Sequence, residues 1–158
     1  DSRAKVSIDS YDEIGNRLFR WINKYRGDWA DGTRFWTSDI KIYRFAEAIL
    51  FKAEIENALG NQATAVAELN KIAKRAYGQD GYYAGTYSKE ELDEIILDER
   101  LKEFSAEGKS WWDLIRFGVV FDRVITLNGR ENEPNILLWP VNNSSINTNP
   151  NITQTPGY

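Results

Sequence analysis

The chain has 158 residues, 20 basic and 24 acidic side chains for a net charge of −4, and no Cys, His or Met. That length fits one domain with a core of its own; the missing side chains exclude disulfides, Ser–His–Asp or Cys–His catalysis, and His- or Cys-built metal centres. The acidic balance argues against nucleic acid as a partner, and no apolar run approaches the ~20 residues of a membrane-spanning helix.

Residues 1–10 are polar and read as a frayed end. From Tyr11 to Tyr25 the apolar positions follow helical spacing, with Ser10 and Glu13 as a capping box; Leu18 to Tyr25 reads equally as a short strand. Residues 26–39, RGDWADGTRFWTSD, carry Gly, Asp and Trp in the manner of a loop. Residues 43–59 predict a helix rich in Ala, Leu, Glu and Lys, ended by Gly60. Residues 62–77 predict a second, with Ala65, Leu69, Ile72, Ala73 and Ala76 on one face and Gly78 as its stop. The short connection makes the pair antiparallel. Gly60, Ala53 and the Ala65–Leu69 spacing fit part of a tetratricopeptide pattern, and equally a plain helical hairpin.

Residues 78–87, GQDGYYAGTY, are a second loop, and Ser88 with Glu91 forms a capping box that opens a helix over 88–106. A fourth helix is expected over 111–127, with an interruption near Gly118. Beyond Leu127 lie all four Pro and eight Asn, a composition too irregular for a helix. Ile136 to Val141 is expected to be extended, and the tail to lie along the helices as an ordered strap. The fold class is therefore all-α, with helical hairpins, long irregular loops and room for a short strand pair. Segments 1–40 (loop), 41–127 (helical core) and 128–158 (strap) make one domain, expected to be a piece of a longer chain.

Glu99, Glu103 and Glu107 recur every four residues and share one helix face. Paired carboxylates suggest glycoside hydrolysis, but acids on one helix point the same way and do not bracket a bond. The plainer reading is an ion-pair network of Arg44, Glu47, Glu99, Arg100, Glu103, Glu107, Asp113 and Arg116. Trp29, Phe35 and Trp36 in the first loop, and Tyr82, Tyr83 and Tyr87 in the second, stand beside Asp, Asn and Gln. Rings that stack on a pyranose, with polar neighbours for its hydroxyls, are what sugar recognition needs; the same rings also serve to cap a helical core. Trp29, Trp36, Tyr82 and Tyr83 are the expected ligand contacts.

Four segments, YRFAEAILFKAEIENALGN, LNKIAKRA, ILDERLKEFSAEGKSWWDLIRFG and LLWPVNNSSINTNPNITQTPGY, resemble in order and spacing the C-terminal region of the SusD/RagB family. The resemblance runs over about 17–158. It rests on Tyr43, Arg44, Ala46 and Glu47, on the Glu99-Arg100…Glu103…Glu107-Gly108…Asp113-Leu114…Arg116 run, on Leu138 and Pro140, and on Asn149, Pro150, Gln154, Pro156, Gly157 and Tyr158. It implies a tetratricopeptide-like fold and a strand in the 17–25 segment. It also implies a non-catalytic, glycan-binding lipoprotein of the outer membrane, at the cell surface. Such a protein hands its ligand to a SusC-like TonB-dependent transporter. The lipid anchor would belong to the absent N-terminal part, and no cofactor or metal is expected. The family's motifs carry no glycan contacts over to this chain. Some relatives take up peptides, and a protein-interaction scaffold is the other reading: helices that dock a transporter or an N-terminal half, with ligand bound elsewhere.

Overall fold

The structure, a computed structural model, describes residues 1–7, 9–11, 17–20, 22–133 and 135–158. It is helix-rich, as the sequence predicts, with two two-stranded antiparallel sheets among the described residues. It divides into two compact units, Asp1–Asp113 and Leu114–Tyr158.

The first unit is organised by an antiparallel helical pair, α2 (Phe45–Ala58) and α3 (Gln62–Tyr77), against which α4 (Lys89–Glu103) packs. The pair lies close because its contact positions are small: Ala53, Ala65 and Ala73 are fully buried with Leu50 and Leu69. The chain leaves α3 through Gly78 at φ +70°, a left-handed stop that a Cβ would strain. The capping box opening α4 is present: the Ser88 hydroxyl accepts from Glu91 N–H at 3.1 Å, and Ser88 N–H donates to the Glu91 carboxylate at 2.8 Å. Leu92, Ile96, Leu97 and Phe104 complete the core.

Several expectations change. Residues Ser2–Ser7 form a short helix, α1, instead of a frayed end. Strands β1 (Asp9–Tyr11) and β2 (Arg17–Arg20) pair, so the extended reading holds over 17–20, while the proposed cap at Glu13 lies outside the described residues. Inside the expected loop 26–39, β3 (Asp28–Ala30) and β4 (Thr33–Phe35) make a hairpin. Its two-residue turn, Asp31-Gly32, has both φ angles positive, at 51° and 74°, as a tight primed turn requires.

The expected helix over 111–127 is three pieces: α5 (Ser110–Arg116), α6 (Val120–Arg123) and a 3-10 turn at Ile125–Leu127. The break falls at Gly118, φ +74°. The last 31 residues are not free of helix: Asn142 caps α7 (Asn143–Thr148) by accepting from Ser144 N–H at 2.8 Å. Residues 135–138 turn where extension was expected, with Leu138 N–H donating to Asn135 at 2.9 Å. Within the second unit the tail ties back by side-chain bonds. Gln154 accepts from Val141 N–H at 2.7 Å and donates to Val141 O at 3.0 Å, and the Tyr158 hydroxyl donates to Leu138 O at 3.0 Å.

Candidate functional site

The ion network forms where α4 faces α1, α2 and α3. Glu99 is fully buried and saturated: Oε1 accepts from Arg3 at 2.6 Å, and Oε2 from the hydroxyls of Tyr77 at 2.9 Å and Tyr83 at 2.7 Å. One turn on, Glu103 takes Arg3, Arg44 and Arg75. Helix α4 stops at Glu103, short of the expected 106, where Ala106 takes φ +64°; past that end Glu107 takes Lys24 at 2.6 Å and Arg44 at 2.9 Å. Glu47 is bound by Lys109, with Arg100 at 3.7 Å. Burial alone raises the carboxyls of Glu103 and Glu107, but Arg44, with Arg75 at the first and Lys24 at the second, outweighs it and holds both below the ordinary range. A general acid for glycoside cleavage needs the opposite displacement. Among the described residues no group of acids is placed to hold a metal ion. Arg3, Lys24, Arg75, Tyr77 and Lys109 belong to this network without any local spacing that marks them. Arg116 lies on α5 with its guanidinium 4.6 Å from the Phe117 ring centre.

The four aromatic candidates fall into two groups. Tyr83 is spoken for: its hydroxyl is bonded to Glu99 and its N–H to Asn70. Burial and Glu99 push the phenol up, so it stays a protonated donor. Tyr82 stacks on Tyr77 at 4.0 Å between centres and meets Tyr83 edge-on at 5.0 Å, and is 43% exposed. This loop thus leaves part of one ring available.

The β3–β4 hairpin is different. Trp29 is 63% and Trp36 71% exposed. Trp29 lies directly opposite Arg34 in the strand register, and the Arg34 guanidinium sits 4.0 Å from the Trp36 ring centre. Side chains two apart on a strand share a face, so Trp29, Arg34 and Trp36 line one side of the hairpin. Asp28 and Phe35 are on the other, where Asp28 accepts from the Thr37 hydroxyl. Arg34 is fixed by donating Nε to Arg26 O at 2.6 Å and Nη2 to Tyr25 O at 3.3 Å. Gly27, φ +65°, closes the base where a Cβ would lie 2.2 Å from Phe35 O. Arg34 is a candidate contact that its own neighbourhood does not single out; the Asp-Gly between two short alternating runs is the sequence signal for the hairpin that places it.

A cavity of about 400 Å³ in the second unit is lined by Arg130, Asn132, Glu133, Asn135, Pro156 and Tyr158 among others. Arg130 and Glu133 neutralise each other there at 2.6 Å.

Comparison with known proteins gives consistent results. The model of the SusD family matches residues 2–135. SusD-like protein P38 of Formosa agariphila is 31% identical over 128 residues, 77% of this chain and 25% of that protein. The starch-binding protein SusD of Bacteroides thetaiotaomicron is 30% identical over 167 residues, 99% of this chain and 29% of that protein. Among solved structures, B. fragilis NanU superimposes with a TM-score of 0.73 at 33% identity, over 100% of this chain and 36% of that one. The chain spans between a quarter and a third of the curated relatives' length.

Proposed function

The chain belongs to the SusD family, and on that premise we propose that it is part of a non-catalytic, surface-exposed glycan-binding protein. The observation that carries this reading is the Trp29–Arg34–Trp36 face: two largely exposed indoles presented by a two-stranded hairpin. An indole stacks on the C–H face of a pyranose, and the surrounding polar groups take its hydroxyls. Such a shallow site binds weakly, in the micromolar to millimolar range, about 4–8 kcal/mol. The starch-binding name of one relative supports the ligand class. In this proposal the longer protein is lipid-anchored at the outer membrane and passes its ligand to a SusC-like TonB-dependent transporter.

The test is retention of the full-length protein on immobilised glycans by affinity electrophoresis. Trp29→Ala with Trp36→Ala is expected to abolish retention that Tyr83→Phe leaves intact. Undiminished retention in the double tryptophan variant moves the site elsewhere.

A second reading has its own observation. Ile40, Ile42, Tyr43 and Phe45 are all exposed on the approach to α2, as are Ile55 and Leu59 along it. An apolar surface of this kind suits a protein contact, so docking of a transporter or of another part of the longer chain is the alternative use of this unit.

A further inference from the structure

We propose that the hairpin face selects sugars carrying an oxyanion, a carboxylate or a sulfate. This rests on the glycan-binding reading and adds a charge requirement to it. The starting point is the state of Arg34. The arginines at 3, 44, 75 and 100 are each paired with a carboxylate. Arg34 is held by two backbone carbonyls and an indole, all neutral, and no carboxylate neutralises it among the described residues. Its Nη1 makes no bond there either.

A guanidinium fixed by neutral partners keeps its full charge and has already lost its rotamer freedom. Both make it a better anion receptor than a free surface arginine. The two carbonyls occupy Nε and Nη2, and the Trp36 ring covers one face of the plane, which leaves the Nη1 edge for a ligand.

Its position supplies the specificity. Trp29 is the cross-strand partner of Arg34, and such pairs stand ~4.5–5.5 Å apart at Cβ. A pyranose stacked on Trp29 therefore brings a carboxylate at its C5 position, or a sulfate on its rim, within reach of that edge. The resulting bond is charge-assisted and stronger than one to a hydroxyl. The carboxylate nearest in sequence with a defined contact, Asp28, is on the opposite face and engaged by Thr37, so it does not compete.

Isothermal titration of the full-length protein tests this with three probe sets: neutral, uronate-bearing and sulfated oligosaccharides of matched length. Tighter binding of a uronate or sulfated probe, tenfold or more and weakened by salt, is expected; which of the two it is identifies the oxyanion. Arg34→Gln is expected to erase that preference while leaving the residual neutral binding, and Trp29→Ala to remove all of it. Binding of neutral probes at least as tight as the charged ones overturns the proposal and leaves glycan binding standing. Absence of binding to all three sets overturns both. Equal losses across all probes in Arg34→Gln and in Arg34→Lys show that Arg34 only braces the hairpin, and overturn the proposal as well.

Discussion

Arg100 on α4 and Asp113 on α5 meet as fork on fork, Nε to Oδ2 at 3.0 Å and Nη2 to Oδ1 at 2.9 Å, with both side chains out of water. Phe51 and Phe104 flank the guanidinium at 4.6 and 5.1 Å from their ring centres. The pair pins the start of α5 to α4. Removing one member strands a buried charge, so Asp113→Ala is expected to cost about 3–5 kcal/mol in urea unfolding. Replacing both by Met and Leu is expected to cost less than the single change, because no ion is then left alone. A single substitution costing under ~1 kcal/mol, the range of exposed pairs, contradicts the pair's burial.

Glu103 at the end of α4 and Glu107 in the turn beyond it give a pH dependence of defined sign. Glu103 and Glu107 are depressed from their ordinary 4.5 in the folded state. A carboxyl lowered on folding stabilises above its unfolded pKa, and that contribution is lost as pH falls through the folded value. Stability is therefore expected to be level with respect to these groups above pH ~5 and to fall below about 4.5. Glu103→Gln is expected to lower the plateau and flatten the acid limb. Urea titrations between pH 7 and 3 check this, and a wild-type stability unchanged at pH 3 contradicts it.

The helix start at Ser88 offers a smaller and cleaner test. Both halves of its capping box are made, so Ser88→Ala is expected to cost about 0.5–2 kcal/mol without altering the fold. Glu91→Ala removes only the reciprocal bond and is expected to cost less. Thermal unfolding by circular dichroism measures both.

Gly27 separates the hairpin from the core. A methyl there meets Phe35 O at 2.2 Å, and the backbone is left-handed. Gly27→Ala is expected to distort the hairpin and abolish glycan retention. The urea midpoint of the helical core should stay within error, because Trp29, Phe35 and Trp36 are all exposed and none contributes to that core. A midpoint that falls together with retention contradicts this separation.

What could be read from sequence was local. Gly78, Ser88 and Glu91 each act within four residues, and α3 and the start of α4 fall where they place them. The hairpin is hard to see in sequence because its strands are three residues long and nearly without aliphatics, so Asp31-Gly32 resembles any other loop signal. Nothing in the neighbourhood of Tyr83 names Glu99, 16 residues on, as the partner of its hydroxyl. Arg3 reaches Glu103 across 100 residues, a pairing set by packing and not by spacing. Helix α7 depends on one asparagine cap in a segment where asparagine is everywhere.

The proposed sugar site is the indole face of the β3–β4 hairpin. Its most direct measurement is the indole ring signals of the full-length protein in nuclear magnetic resonance spectra, assigned by single substitution, during titration with a retained glycan. Saturable shifts are expected at Trp29 and Trp36, with Trp111, Trp112 and Trp139 unmoved. Shifts confined to the latter three, with Trp29 and Trp36 silent at saturation, would contradict it.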